Sequence, residues 1–140
     1  MNILLAVDGS KNSLDAVASL IRHADWFKEK PAVRLLYVHL PVPKMGGFGP
    51  SKKAIDKYYQ EEGAQCLAKA KKLLDKFGLP HEDMILVGQV AETICKVAAD
   101  GRTDLICMGT RGMGSVANVL VGSTATKVLH NAKVPVMLVK

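Results

Sequence analysis

The sequence holds little of what an exported or membrane-embedded chain needs. Its longest early apolar run, Ile3 to Val7, ends at Asp8, which is too short for a signal-peptide core or a membrane span. No membrane role is expected, and the cytoplasm is the expected location. Cysteine is scarce: Cys66, Cys95 and Cys107 are odd in number and form no Cys-x-x-Cys pair. Buried, reduced thiols are therefore expected, ahead of a redox or metal site. The histidines at 23, 39, 81 and 130 show no metal-ligand spacing. Aromatic residues make up only 5%, too few for a base-stacking platform. A nucleic-acid partner is therefore not expected, although the net charge is +6. Most of the lysines from Lys52 to Lys76 are interspersed with Asp56, Glu61, Glu62 and Asp75, as on a solvated helix face. Finally, no Asp or Glu follows Asp104. A segment without a carboxylate suits an anion.

What is present reads as a single domain over residues 1–140, with 49% hydrophobic and 23% charged residues. Ile3–Val7 is a continuous aliphatic run, the mark of a strand buried on both faces. Asp8-Gly9-Ser10 turns the chain, with Ser10 as a candidate N-cap. Leu14, Val17, Ala18, Ile21 and Ala24 recur at helical steps, predicting a helix that ends near Phe27. Val33–Leu40 reads as a second strand and the Pro- and Gly-rich stretch 41–50 as a loop. A long helix is predicted from Lys52 to Phe77, with Tyr58, Cys66, Leu67, Ala70, Leu74 and Phe77 inward, stopped by Gly78-Leu79-Pro80. Met84–Val87, Leu105–Met108 and Val134–Val139 read as strands, and 91–99 and 123–131 as helices. Strand and helix alternate throughout. The expected fold is α/β, an open five-stranded parallel sheet with helices on both faces. Ligands of such sheets bind beyond the carboxyl ends of the strands, where strand order reverses. Asp8 and Gly109 both stand at such ends.

The spacing Gly109-x2-Gly112-x9-Gly122-Ser123 carries the chemistry. Phosphate oxygens need several closely approaching donors. Backbone amides supply them where no side chain obstructs, and a helix N-terminus adds free N–H groups and a positive dipole end. Ser123 and Thr124 add hydroxyls. Charge-assisted bonds of roughly 1.5–3 kcal/mol each suffice together for micromolar binding, about −8 kcal/mol. Taken alone, the glycines read first as ordinary turns. Residues 112–117 match G-x-G-x-x-A, but no acidic residue follows to hold a ribose, so a dinucleotide fold is excluded; a P-loop motif is absent. Asp8 alone reads as a turn residue with Gly9. At the end of the first strand it also fits a ribose hydroxyl or a Mg²⁺ ion. Arg111 reads equally as a phosphate partner and as a solvated loop residue.

Taken in order, several segments resemble the universal stress protein family over essentially the whole length. They are Leu5-Ala6-Val7-Asp8-Gly9-Ser10, Leu36-Tyr37-Val38, Asp104 through Gly112, Gly122-Ser123, Lys127-Val128 and Val134-Pro135-Val136. The resemblance implies strand order 3-2-1-4-5, a Rossmann-like arrangement. It also implies the family's ATP-binding branch, because every position of the G-x2-G-x9-G-[ST] pattern is kept. Transferred residue by residue, Asp8 meets the ribose or a nucleotide-bound Mg²⁺ or Mn²⁺, and Val38 meets adenine through its backbone. Ala6 and Val7 line the adenine pocket. Gly109, Gly112, Gly122, Ser123 and Thr124 surround the phosphates of ATP, or of AMP or ADP, with Met108 beside them. The family further implies a homodimer joined through residues 134–139, which fits an apolar edge strand. The expected function is a nucleotide-dependent regulatory module of the stress response. A slow ATPase or phosphotransferase, and a dimeric scaffold without nucleotide, are the alternatives.

Overall fold

The computed structural model describes residues 1–43, 49–112 and 121–140. Residues 44–48 of the Pro/Gly stretch and 113–120 of the glycine loop, with most of the G-x-G-x-x-A match, lie outside the described residues. Strands β1 (Asn2–Ala6), β2 (Ala32–His39), β3 (His81–Val87), β4 (Leu105–Gly109) and β5 (Val136–Val139) alternate with helices α1 (Lys11–Arg22), α2 (Lys52–Lys76), α3 (Val90–Ala98) and α4 (Ser123–Asn131). The strands form one sheet in the order β3-β2-β1-β4-β5. Every pairing is parallel.

Neighbouring residues on the central strands feed opposite cores, which is why β1 reads as an unbroken apolar run. Ile3, Leu5 and Val7, with Val33, Leu35 and Tyr37, pack against Val17 and Leu20 of α1 and Leu67 and Leu74 of α2. Leu4, Ala6, Leu36, Val38, Ile106 and Met108 pack against Ile94 of α3 and Val128 of α4. Among the described residues no helix is long and apolar enough to cross a membrane.

Local signals start and stop the helices. The Ser10 hydroxyl accepts from the Ser13 amide at 3.2 Å and opens α1. The Ser51 hydroxyl does the same for Ala54 and opens α2. Gly78 closes α2 with φ +62°, and Leu79 then donates to the Leu74 carbonyl.

Several sequence expectations are corrected. Tyr58 and Phe77 are exposed, at 48% and 52%. The buried stripe of α2 is Tyr59, Gly63, Leu67, Ala70 and Leu74. Stepping back by four from Leu67 reaches Gly63 and then Tyr59, not Tyr58, while Phe77 caps the helix and Leu79 beyond it turns inward. The first helix stops at Arg22, and a 3₁₀ turn at Ala24–Trp26 completes the segment to Phe27. Strand β3 begins at His81, three polar residues before Met84, because pairing with Val33, Arg34 and Leu35 of β2 draws them into the sheet. Strand β5 begins at Val136 rather than Val134, after Pro135, which contributes only its carbonyl to Ile106.

Candidate functional site

Strand order reverses at β1 and β4, and a cleft of about 330 Å³ opens beyond their carboxyl ends. One wall is apolar, from Ala6, Leu36, Val38, Leu40, Val90, Ile94 and Met108. The other end is polar, from Asp8, Ser13, Thr110, Arg111, Gly112 and Gly122 through Ala125. Every residue singled out for the site in the sequence lines this one cleft: Ala6, Val7, Asp8, Val38, Met108, Gly109, Arg111, Gly112, Gly122, Ser123 and Thr124. Ser13, Leu36, Leu40, Val90, Ile94, Thr110 and Ala125 line it too and were missed. The aliphatic ones read in sequence as core. Only Ser13 carried a usable signal, a polar residue on the inner face of α1.

The β1–α1 turn holds Asp8 in place. The Ser10 amide donates to Asp8 Oδ1 at 2.9 Å. The Asp8 amide points to Ser13 Oγ at 3.4 Å, and that hydroxyl donates to the Ser10 carbonyl at 2.9 Å. Across the cleft Gly112 closes on the same carboxylate. A β-carbon at 112 would lie 2.5 Å from Asp8 Oδ2. Gly109 is needed for a different reason: a β-carbon there would lie 2.7 Å from the Asn12 carbonyl oxygen. The end of β4 thus rests directly on the first turn of α1.

Thr110 links the cleft to the sheet edge. Its amide donates to the Val139 carbonyl at 2.8 Å, and its carbonyl accepts from the Gly122 amide at 2.7 Å. The Gly122 amide is therefore engaged within the protein. Gly122 is also the N-cap of α4 and brings no side-chain cap. The amides of Ser123, Thr124 and Ala125, in the first turn, have no intrahelical acceptor, and these residues line the cleft. Arg111 is half-buried beside them, and its Nε has no hydrogen-bond partner among the described residues. A phosphate or carboxylate group placed there meets open donors and the positive end of the helix.

Among the described residues no group of three or more Asp, Glu, His or Cys side chains is arranged to hold a metal. Asp8 is the only carboxylate lining the described cleft. A divalent ion fits this donor set when its other ligands come from a bound phosphate chain, the usual habit of Mg²⁺. The thiols stand apart from such chemistry. Cys107 is buried in the sheet, and burial pushes its thiol up to about 12. Burial also raises Cys66 and Cys95.

A sequence profile described as the universal stress protein family matches residues 1–140. A universal stress protein of Thermus aquaticus is 36% identical, over 99% of this chain and 97% of its own length. Among solved structures, universal stress protein UspA from Lactobacillus plantarum superposes with TM-score 0.83 at 22% identity, covering 100% of this chain and 97% of its own. Two others were solved with nucleotides. One is a universal stress protein in complex with cAMP, with TM-score 0.67 at 21% identity and coverage of 100% and 97%. The other is a family member from Arabidopsis thaliana with AMP bound, with TM-score 0.68 at 17% identity and coverage of 100% and 91%. With the parallel 3-2-1-4-5 sheet and the profile match over its full length, the chain belongs to the universal stress protein family.

Proposed function

We propose that the cleft binds an adenine nucleotide, ATP with Mg²⁺ or Mn²⁺ in the fullest case and ADP or AMP in shorter ones. The chain would then act as a nucleotide-dependent regulatory module of the stress response. The observation that carries this reading is the start of α4: a helix N-terminus without a side-chain cap, opening into a cleft whose other wall is aliphatic. A phosphate chain suits the first end and a purine the second. The AMP and cAMP held by the two relatives support a nucleotide of this class.

In this reading Val38, Ala6 and Val7 bound the base, with Val38 offering its backbone. Asp8 meets the ribose or a nucleotide-bound cation. Gly109 and Gly112 keep the floor low, with Met108 beside them. Ser123 and Thr124 give amides and hydroxyls to phosphate, and Gly122 starts the helix in the right place. Arg111 answers phosphate charge. The described lining balances one carboxylate against one guanidinium, Asp8 against Arg111. A divalent cation therefore strengthens binding more as phosphates are added. We extend the reading to a homodimer joined through residues 134–139, since β5 is a sheet edge with half-exposed apolar residues.

Calorimetric titration of nucleotide-stripped protein with ATP and Mg²⁺ tests the reading, alongside Gly122→Val and Asp8→Ala. The parent binds in the micromolar range and Gly122→Val does not. A folded, nucleotide-free parent that binds no ATP overturns the proposal and leaves a scaffold.

A further inference from the structure

Strand β2 ends at His39, and the next residue, Leu40, belongs to the apolar wall of the cleft. From the other face of the sheet, α2 reaches this exit. His39 Nδ1 lies 2.5 Å from the Leu40 carbonyl oxygen, and His39 Nε2 lies 2.5 Å from Glu62 Oε2. A carbonyl and a carboxylate both only accept. A neutral imidazole has one N–H and one lone pair, whereas the imidazolium has two N–H groups. Between two acceptors the neutral ring must turn a lone pair toward one oxygen. The imidazolium satisfies both and gains a charge-assisted bond to Glu62. Glu62 is held in its carboxylate form, because the Tyr58 hydroxyl and then His39 pull its carboxyl below the ordinary carboxylate range.

A second bond from α2 grips the same stretch: the Val42 amide donates to the Tyr59 hydroxyl at 2.8 Å. The surroundings of the His39 ring are few. From α2 it meets Glu62 and the rings of Tyr58 and Tyr59, at centroid distances of 5.5 and 4.7 Å. From β2 it meets the edge of Tyr37, whose hydroxyl burial pushes above its usual value. On β3 its register partner is the uncharged Val87. Glu62 is thus the ring's charged neighbour among the described residues.

We infer that His39 is a positioning residue for the nucleotide cleft, and that its imidazolium form ties the Leu40 carbonyl to Glu62 and so holds the base wall in place. The inference rests on the nucleotide reading above. Loss of the ring proton releases one of the two ties, so affinity is higher on the acid side of imidazole titration and falls as pH rises.

The decisive variant is Glu62→Gln. Its amide can rotate to donate to a neutral His39 Nε2 while Nδ1–H still serves Leu40, so the latch holds in both protonation states. Parent, Glu62→Gln and His39→Ala are titrated with ATP and Mg²⁺ at about pH 6 and about pH 8.5, and each variant is compared with the parent at the same pH. The nucleotide's own phosphate titration then cancels. From the lower to the higher pH the parent weakens relative to Glu62→Gln by roughly fivefold, the worth of one ordinary hydrogen bond. His39→Ala binds weakly at both pH values, and its profile runs parallel to that of Glu62→Gln. Without ligand, the Leu40 and Val42 amide resonances follow the ring titration of His39 in the parent. Parallel pH profiles for parent and Glu62→Gln overturn the inference, as do Leu40 and Val42 amides that ignore the ring. If the folded parent binds no ATP at either pH, the nucleotide reading fails instead, and the ligand-free titration alone decides whether the latch exists.

Discussion

Asp8 and Gly112 meet face to face across the cleft, with the carboxylate filling the space that a β-carbon on residue 112 would take, 2.5 Å from Oδ2. The atom in the way is the tip of a side chain, so Gly112→Ala is relieved by turning Asp8 aside. Turning it aside also releases the Ser10 amide from Oδ1, so stability should fall by at most about 1 kcal/mol. Binding should suffer more: with Asp8 displaced, ATP affinity falls about tenfold, matching Asp8→Ala, the scale of one charge-assisted contact. Calorimetry with a parallel thermal melt separates the two effects. Unchanged affinity would show that the carboxylate plays no part in binding.

Gly109→Ala has the opposite signature. Its β-carbon would lie 2.7 Å from the Asn12 carbonyl oxygen and 2.9 Å from its carbon, both backbone atoms. Neither can swing away, so β4 and α1 must separate. We expect a loss of about 1–3 kcal/mol, read as a lower denaturation midpoint in urea. A variant as stable as the parent would contradict the close approach of these two elements.

Away from the cleft, Arg34 is buried in β2 at 6% exposure. It donates from Nη1 and Nη2 to Asp100, at 3.1 and 2.8 Å, and from Nη1 to Thr103 at 3.0 Å. The Arg34 guanidinium, then the Arg102 amide, hold the Asp100 carboxyl below its ordinary value. A carboxylate lowered on folding stabilises the protein fully above its unfolded value and loses that contribution as pH falls through the lowered one. Thermal melts from neutral to acid pH should therefore fall more steeply in the parent than in Asp100→Asn. The variant should be less stable at neutral pH, because Arg34 loses its carboxylate partner in a buried place. Identical acid slopes would remove Asp100 from the account.

Thiol labelling gives an independent check of the core. Cys107 is fully buried with its thiol pushed up to about 12, and labelling requires thiolate and access. Near pH 8 a disulfide reagent should leave Cys107 untouched until the protein unfolds, so its labelling rate reports global opening. Rapid labelling in the native state would mean that β4 is not the buried interior strand seen here.

Much of this architecture is legible in the chain. Unbroken runs such as Ile3–Val7 signal strands covered on both faces, and Ser10 announces a helix by the hydroxyl that caps it. The glycines and Asp8, ordinary turn residues one by one, mark the cleft by their spacing and by standing at the carboxyl ends of two strands. What stayed hidden has physical causes. Leu36, Val90 and Ile94 face a cleft, yet an aliphatic side chain that lines a pocket is indistinguishable in sequence from one that fills a core. Tyr58 and Tyr59 are adjacent, each eight residues before an apolar residue, Cys66 or Leu67, and the deeper burial of Leu67 and Gly63 in the fold turns Tyr59 inward. His81, Glu82 and Asp83 enter a strand because β2 offers them partners, which no local preference reveals. The three glycines of the motif look alike in the chain but do different things. One rests on a backbone, one yields to a carboxylate, and one gives its amide to Thr110.

That last bond makes the two edges of the sheet unequal. From β5 to the first turn of α4 the path is a single residue: Val139 to the amide of Thr110, and its carbonyl to Gly122. Along the hydrogen bonds of the sheet, β3 reaches the same point through β2, β1 and β4 in turn. The molecule has a near side and a far side with respect to its cleft. Whatever grips the near side stands two hydrogen bonds from the place where α4 begins, while the far side acts on it through α3, which follows β3 and packs against α4.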